Sequence, residues 1–427
     1  MEKEEINLDD WKKKRHRTFI CYCIFSIIIG LEYGLVPPTL LAYLKEGLHV
    51  EHADIWLGAI IASYFITSLI GCLTITQYTD RTRNVKKTLI ISCAFVSLAN
   101  FLYSIPSYAF VILIARLIQG IADSLMSIIQ GEIIRFYEGV EQTKKLSTVT
   151  VYYFLAFISG PVVTTIFSGI DFEIFGARFK FYNFPLLIVG FLWASFILII
   201  VFFVSDLSKE IRYLPNKENV KNQINKHSQG NASTILFTNP RVNFVFLLTF
   251  VCGYFASCFN YVRIPVISTE LYHIPAQYLG MIYNLECVVF CITMFLINRL
   301  KFVKREIYFI VFVMCFQIIG LQAMSLSALF YSYRTLGICF ILTFAVCLGV
   351  GWSSEQVLLV VLLGRLVPNE IQGYTAGVKR TMINLSFILG ALTTPFLHDF
   401  IFEHTFVLSV CMFVLIATAL YFREKFT

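Results

Sequence analysis

The chain has 427 residues, of which 57% are apolar and 14% charged, and its formal net charge at pH 7 is +7. A soluble globular domain carries about 25% charged residues, so this composition excludes that class and is typical of a membrane protein. The basic residues are spread over several short loops rather than gathered in one patch, so we predict no nucleic-acid partner. Membrane lipid is the expected surrounding.

Twelve segments are long and apolar enough to cross a bilayer as helices. A helix needs roughly 20 apolar residues to cross a hydrocarbon core about 30 Å thick. The segments cover residues 19–43, 55–78, 88–105, 109–134, 145–168, 183–204, 242–266, 276–298, 307–325, 335–363, 374–397 and 405–422. The ninth is the weakest, because glutamines and serines dilute it. The predicted fold is an all-α membrane protein with twelve transmembrane helices.

The distribution of lysine and arginine predicts the orientation of these spans. Basic clusters at residues 12–17, 81–87 and 299–305 fall on one side, and the loops of the other side carry few basic residues. Because cytosolic loops are enriched in lysine and arginine, we predict that both termini face the cytosol. The first apolar segment is too long for the core of a cleavable signal peptide and is expected to remain as the first span.

One long polar segment divides the twelve spans into two groups of six. The predicted organisation is a cytosolic N-terminal tail over residues 1–18, an N-terminal half over 19–204, a cytosolic linker over 205–241, a C-terminal half over 242–422 and a cytosolic C-terminal tail over 423–427. The linker is rich in asparagine, lysine, glutamine and serine, a composition without enough apolar residues to form its own core.

A weak internal repeat relates the two halves. Three pairs of identical residues stand at one common spacing and occupy equivalent places in the predicted topology: Arg135 with Arg365, Gln142 with Gln372, and Gly160 with Gly390. Transporters built from duplicated halves leave traces of this kind. We therefore predict that the two six-helix halves are pseudo-symmetric.

Several short motifs resemble those of the major facilitator superfamily. The fourth-span pattern of that family appears as RLIQG at residues 116–120, and its fifth-span signature appears as Gly160-Pro161. The loop after the second span keeps Asp80, Arg81 and Arg83 but has Thr76 where the family has glycine. The resemblance implies the major facilitator fold, with helix-packing positions at Gly120, Gly160, Pro161 and Gly390 and a conformational loop at Asp80, Arg81 and Arg83.

Longer stretches of the first half are similar to one branch of that superfamily. They are LGAIIASYFITSLIG at 57–71, SLANFLYS at 97–104 and LIARLIQG at 113–120. The branch includes the lysosomal major facilitator protein associated with neuronal ceroid lipofuscinosis. This resemblance implies a lysosomal or endosomal membrane, with the plasma membrane as the alternative.

Ionisable and strongly polar residues occur inside several predicted spans. An ionised side chain near the bilayer centre costs on the order of 2.5–3.5 kcal/mol on insertion scales, so it should face the protein interior or a watery cavity. In the fourth span Arg116, Gln119 and Asp123 recur at helical spacing and form one polar stripe. The residues predicted to line a proton-coupling or substrate cavity are Glu32, Arg116, Gln119, Asp123, Asn260, Arg263, Glu286 and Glu355.

Three interpretations of Glu32, Arg116 and Asp123 stay open at the level of the sequence. They form a buried charge network that fixes helix orientation, or one acid takes up and releases a proton as the cavity changes sides, or Arg116 binds the substrate directly. Desolvation and a nearby cation both alter the proton affinity of a buried carboxylate, so proton coupling is chemically reasonable. We favour Glu32 as the coupling acid with Arg116 as its electrostatic partner, then Glu355, then Glu286.

For four polar residues the sequence also predicts where the side chain lies. At α-helical spacing Asn260 and Arg263 share one face of the seventh span. Arg263 lies near the outer end of its span, where we expect it to extend its guanidinium to water. Lys379 and Arg380 lie near the start of the eleventh span and are expected to reach the cytosolic interface.

These features together predict a secondary transporter of a small molecule or ion that works by rocking of its two halves. No phosphate-binding loop and no pair of nucleophile and base is evident, so we predict no enzymatic activity, no cofactor and no metal site. Two alternatives remain: a small-anion permease or channel-like path, suggested by Arg116 and Arg263, and a transport-inactive scaffold or trafficking protein. We expect a monomer whose partners are its substrate and membrane lipid.

Overall fold

A computed structural model describes residues 8–137, 139–174, 176–207, 236–299, 306–367, 372–397 and 399–421. The N-terminal half contains α1 (Leu8–Ala42), α2 (Ala53–Thr82), α3 (Val85–Ser104), α4 (Ala109–Phe136), α5 (Gly139–Ile166) and α6 (Phe184–Phe203). The C-terminal half contains α7 (Pro240–Ala256), α8 (Leu279–Arg299), α9 (Glu306–Leu329), α10 (Arg334–Leu348), α11 (Gln372–Thr393) and α12 (Ile401–Tyr421).

Two of these helices continue beyond a stretch of wider π-helical turns. After α7 the chain runs through π-helical Ser257–Arg263 and Ile267–Leu271, so that one rod extends over Pro240–Leu271. After α10 it runs through π-helical Gly349–Ser353 into a final α-helical segment, Ser354–Leu366. Single π-helical turns are uncommon and frequently occur at functional sites.

Among the described residues, eleven helices are long and apolar enough to span a membrane. The helix outside this group is α11, which carries Lys379 and Arg380, whereas α9 is within it. The expectation that the ninth span is the weakest was therefore wrong. Two cations reduce the hydropathy of a helix more than a few amides and hydroxyls do.

The two halves are built on the same helix pairing. In the N-terminal half α1 packs on α5, α2 on α4 and α3 on α6; in the C-terminal half α7 packs on α11, α8 on α10 and α9 on α12. The halves meet through α2 with α11 and α5 with α8, which are equivalent pairs under the exchange of the halves. The predicted pseudo-symmetry of two six-helix halves is confirmed.

The repeated glycines lie at equivalent helix contacts. Gly160 of α5 lies directly against the backbone of Gly34 in α1, which leaves no room for a side chain. Gly390 of α11 lies against Ser257 at the end of α7, where an added Cβ would be 2.6 Å from the serine Cβ. Small residues allow helix backbones to approach closely in a membrane. The spacing detected in the sequence therefore marks one helix contact that occurs twice.

The ends of the helices define two sides, which we call the terminal side, where α1 begins and α12 ends, and the opposite side. On the opposite side the ammonium of Lys45, after α1, pairs with the carboxylate of Glu270 in the last π-helical segment of the α7 rod. Deeper in the protein the rings of Tyr33 and Tyr261 lie 5.8 Å apart between their centroids. These contacts join the two halves from the opposite side inward.

The connection between α5 and α6 forms a two-stranded antiparallel hairpin, β1 (Asp171–Ile174) and β2 (Ala177–Lys180). The Arg178 guanidinium donates two hydrogen bonds of 2.7 Å to the Asp171 carboxylate and lowers the pKa of that exposed acid. On the terminal side, α1 begins at Leu8, within the predicted N-terminal tail. Residues 208–235 of the predicted linker and the whole C-terminal tail lie outside the described residues.

Candidate functional site

Glu32 lies in the middle of α1 and is 1% exposed. Its Oε2 accepts a hydrogen bond of 2.5 Å from the indole N–H of Trp193 in α6, and its Oε1 has no partner among the described residues. A buried carboxylate that receives a neutral donor keeps its desolvation cost largely uncompensated. The local structure therefore allows this acid to be protonated without breaking an ion pair.

Arg116, the expected partner of Glu32, makes other contacts. Its Nη1 donates to Oε1 of Gln119 at 2.9 Å, and Gln119 in turn donates to Oδ1 of Asn100 at 3.0 Å. The guanidinium carbon lies 4.3 Å from the centroid of the Tyr64 ring. Within the described part of the chain, Arg116 and Glu32 form no salt bridge with each other.

Asp123 of α4 connects the two halves. It is fully buried and accepts hydrogen bonds from the Ser68 hydroxyl at 2.5 Å and from Nε of Arg380 at 3.0 Å; Nη2 of Arg380 completes a bidentate pair. Asn384, one turn after Arg380 on α11, donates to the same Ser68 hydroxyl at 2.8 Å. Ser68 and Asp123 belong to the N-terminal half, and Arg380 and Asn384 to the C-terminal half. We call these four residues the cross-half cluster.

The expectation that Lys379 and Arg380 reach the interface was wrong. Arg380 turns inward because the Asp123 carboxylate offers a bidentate geometry that suits a guanidinium. Lys379 is 7% exposed and donates to the backbone oxygen of Gln356 at 3.1 Å. Nearby, Glu355 is fully buried, and its Oε2 accepts a hydrogen bond of 2.6 Å from the Gln317 side-chain amide of α9. Glu355 and Lys379 thus form part of a polar region inside the C-terminal half.

Asn260 and Arg263 point to different neighbours. The Asn260 amide donates to Oε2 of Glu286 in α8 at 3.2 Å, whereas Nη2 of Arg263 contacts the Leu397 carbonyl at 2.8 Å and Nδ1 of His404 in α12 at 3.0 Å. The expectation of a shared face was wrong because these residues belong to the π-helical Ser257–Arg263, where wider turns change the angle between positions three apart. Arg263 is 2% exposed, so it does not extend to water as expected.

A cavity of about 20 Å³ lies between α1, α5, the π-helical Ser257–Arg263 of the α7 rod, and α8. Both halves contribute to it, and it has room for roughly one water-sized group. Its lining comprises Gly34, Pro37, Phe157, Ile158, Pro161, Asn260, Tyr261, Tyr283, Glu286 and Cys287. Glu286, the third choice among the sequence candidates, lines this cavity, whereas Glu32 does not.

The predicted helix-packing position Gly120, the predicted conformational loop and the question of a metal site complete the comparison with the sequence. Gly120 lies against the Tyr64 backbone of α2, as a helix-packing glycine should. Arg81 is exposed, and Arg83 ends α2 in the left-handed conformation with φ 57°, its N–H bonded to the Thr79 carbonyl at 2.8 Å. The side chain of Asp80 lies outside the described ones. Within the described chain no group of three His, Cys, Asp or Glu residues is placed to hold a metal ion.

The sequence analysis did not identify four residues as hydrogen-bond partners around Glu32 and Asp123. They are Ser68, Trp193, Arg380 and Asn384. Arg380 gave a usable signal, since a cation inside a predicted span needs a partner or a watery cavity. Asn384 and Ser68 gave a weaker signal, because small polar residues are common between packed membrane helices. Trp193 gave none, because an indole inside an apolar run is indistinguishable from ordinary packing.

Comparison with known proteins gives a consistent result. The sequence model of the Major Facilitator Superfamily matches residues 22–391. The D-xylose-proton symporter is similar in structure with a TM-score of 0.70 at 14% identity, over 96% of this chain and 98% of that one. The nucleoside transporter NupG has a TM-score of 0.66 at 13% identity, over 95% and 98%. The inward-open xylose transporter XylE from E. coli has a TM-score of 0.65 at 13% identity, over 94% of each chain.

Proposed function

Because the chain belongs to the major facilitator superfamily and is therefore a membrane transporter and not an enzyme, we propose that it moves a small solute by alternating access coupled to protons. The observation that carries the coupling is the Asp123–Arg380 ion pair, which joins α4 of one half to α11 of the other. Alternating access requires the halves to rearrange about the centre. Any charge pair between them must then be broken or moved in each cycle.

Protonation of Asp123 is a direct way to release this contact. Asp123 is fully buried, and removing one partner of a buried ion pair costs about 3–5 kcal/mol because a charge is left uncompensated. A proton on the carboxylate removes that charge. Arg380 keeps 25% of its side chain exposed, so it is able to hydrate when released. The proton would thus lower the barrier to separating α4 from α11.

Glu32 is assigned a second role in the same mechanism. Its contacts with Trp193 lie within the N-terminal half, so its protonation does not itself separate the halves. We propose that it receives the proton before or after Asp123. The position of Glu355 beside Gln317, within the C-terminal half, makes that acid a further candidate of the same kind.

The membrane and the orientation are part of the proposal. The resemblance of residues 57–71 and 97–104 to a lysosomal branch supports an endolysosomal membrane, and the basic loops support cytosolic termini. A fluorescently tagged full-length chain should overlap an acidic-organelle dye, and a tag at either terminus should be quenched by an impermeant reagent only after the plasma membrane is opened. Exclusive labelling of the plasma membrane would contradict the location.

A small-anion permease is the alternative that a specific contact favours. Arg263 is buried, and its Nε and Nη1 have no hydrogen-bond partner among the described residues. An anion would satisfy such donors. Chloride flux that falls in Arg263→Gln and survives Asp123→Asn would support this function over proton coupling. No flux of protons, chloride or any tested solute would favour the transport-inactive scaffold protein.

The central experiment uses purified protein in liposomes that contain a pH dye. Solutes are added one at a time, beginning with D-xylose and nucleosides, which the similar structures are named for, and continuing with amines and amino acids. We expect proton flux that depends on one solute, falls strongly in Asp123→Asn and is unchanged in Glu403→Gln, an exposed acid on α12. Solute flux that moves no protons in the wild type would contradict the coupling.

A further inference from the structure

We propose that the guanidinium of Arg380 binds a carboxylate of the transported solute. This inference rests on the proposed transport function and names the chemical class of the solute. Arg380 has 25% of its side chain exposed, whereas Lys379 and the ionisable residues predicted to line the cavity are each 7% exposed or less. Of these charged groups, Arg380 is therefore the one that a solute in water can reach, and its charge is positive.

The Arg380 guanidinium lies between the two halves. Its helix, α11, packs on α7 of the C-terminal half and on α2 of the N-terminal half, and the guanidinium pairs with Asp123 of α4. The ring centroid of Tyr153, on α5, lies 6.0 Å from the guanidinium carbon. A side chain that meets both α4 and α5 of the other half faces the centre of the protein rather than lipid. A solute held there contacts both halves, as alternating access requires.

Aromatic rings from both halves close the centre between Arg380 and the opposite side. Phe387 lies two turns further along α11 than Arg380, on the same face of the helix. Its buried ring lies 4.6 Å from that of Phe65 in α2 and 5.3 Å from that of Tyr261 in the α7 rod, measured between centroids. Because α11 runs from the terminal side towards the opposite side, a solute reaches Arg380 from the terminal side.

One edge of the guanidinium is free for a second carboxylate. Nε and Nη2 of Arg380 each donate to Asp123, and Nη1 has no hydrogen-bond partner among the described residues. A guanidinium carries five N–H donors in one plane, so Nη1 and the second N–H of Nη2 form another pair of parallel donors. Parallel donors of this kind bind the two oxygens of a carboxylate. A neutral solute would gain no charge-assisted hydrogen bond at this edge.

A carboxylate at Arg380 also connects solute binding to the proton. Two carboxylates on one guanidinium leave one negative charge uncompensated, which is costly for the buried Asp123. A proton taken up by Asp123 removes that charge and ends its ion pair. Arg380 then stays paired with the solute while α4 separates from α11. The solute anion and the proton cross together, so the transported pair carries no net charge.

The test measures binding rather than transport. Thermal unfolding of the purified full-length protein is followed with sodium acetate and sodium benzoate, and with the neutral acetamide and benzamide, in a constant background of sodium chloride. A ligand that binds the folded state raises Tm as its concentration increases. We expect both carboxylates to bind at least about tenfold more tightly than their amides, because the amides lack a charge-assisted hydrogen bond.

Three results would overturn the proposal. One is the absence of any rise of Tm with either carboxylate, and another is equal affinity for the carboxylates and their amides. The third is tighter binding of sodium phosphate than of either carboxylate, because it would identify a site for a different class of anion.

A first pair of variants assigns the binding to Arg380. Asp123→Asn keeps the guanidinium and removes the carboxylate that competes for it, so acetate and benzoate should bind about tenfold more tightly than to the wild type. A purely structural role of the ion pair predicts no such gain. Arg334→Gln, which changes an exposed arginine at the start of α10, should leave the affinity unchanged. Binding to Asp123→Asn that is no tighter than to the wild type would refute the site.

A second pair of variants removes the site. Arg380→Gln alone leaves the buried Asp123 charge uncompensated, so the double variant Asp123→Asn with Arg380→Gln is used instead. It should bind both carboxylates at least about tenfold more weakly than the wild type. Arg380→Lys keeps the charge without the parallel donors and should bind with intermediate affinity. Unchanged affinity in the double variant would contradict the assignment to Arg380.

The outcomes separate this inference from the transport proposal. Asp123→Asn should abolish coupled proton flux while carboxylate binding persists. If the carboxylates bind but no solute drives proton flux, the coupling fails and the site stands. If a solute without a carboxylate drives proton flux and neither acetate nor benzoate binds, the site fails and the coupling stands.

Discussion

Helix α4 and the α7 rod both place polar side chains at the centre of the protein, yet only α4 follows the pattern that its sequence predicts. In α4 an uninterrupted α-helix puts Arg116, Gln119 and Asp123 on one buried face. In the α7 rod the π-helical Ser257–Arg263 separates Asn260 from Arg263. A spacing of three or four positions therefore identifies a common face only where the backbone keeps the α-helical period.

The largest change in unfolding free energy is expected from variants that break the contact of α4 with α11. Arg380→Gln leaves the fully buried Asp123 carboxylate without its cation and should cost about 3–5 kcal/mol of unfolding free energy. Asp123→Asn leaves Arg380, which is 25% exposed and able to hydrate, and should cost less. Thermal unfolding of the two variants measures this difference.

The double variant Asp123→Asn with Arg380→Gln is the control for this asymmetry. Neutralising both partners removes the uncompensated charge, so stability should recover most of the loss seen in Arg380→Gln. Coupled proton flux should stay low in the double variant, because the ionisable group is absent. Equal stability of the two single variants would contradict the ion pair between the buried Asp123 and the partly exposed Arg380.

A second prediction tests the close contact of α4 with α2. Gly120→Ala places a Cβ against the backbone oxygen of Tyr64 and should destabilise the protein by about 1–3 kcal/mol. Gly131→Ala on the same helix meets no atom within 4 Å and should be neutral or stabilising by up to about 1 kcal/mol. Unfolding of both variants under one condition gives the comparison, and a reversed order would contradict the packing.

A third prediction tests the π-helical geometry of the α7 rod directly. In a background without native cysteines, a short bifunctional thiol reagent should link Asn260→Cys to Glu286→Cys, and Arg263→Cys to His404→Cys. The mismatched pair of Arg263→Cys with Glu286→Cys should react at least about tenfold more slowly, since these side chains face different helices. Comparable rates for all three pairs would indicate that Asn260 and Arg263 share a face after all.

The smallest expected effect concerns the end of the α7 rod. Lys45 and Glu270 are 38% and 40% exposed, and exposed ion pairs contribute about 0–1 kcal/mol. Glu270→Gln should therefore change Tm by little, and the change should vanish at high salt. A loss of several degrees that persists in salt would show that this contact holds the halves together more strongly than an exposed pair can.

The sequence by itself determined the membrane class, the twelve helices and the two related halves. This was possible because a lipid core forces every backbone polar group into helical hydrogen bonds, so length and hydropathy identify eleven of the twelve helices among the described residues. The repeat of Gly160 and Gly390 was readable for the same reason, since close helix contacts restrict side-chain size at fixed positions. The polar stripe of α4 was also readable, because the helix is regular.

Only the tertiary structure decided which charged and polar groups meet. Asp123 and Arg380 are 257 positions apart, and nothing local to either residue specifies the other. Glu32 meets an indole instead of Arg116, and Asn260 meets Glu286 instead of sharing a face with Arg263. The partner of a buried charge depends on which helices pack together and on the local period of each helix. Those are properties of the assembled protein that hydropathy and spacing do not encode.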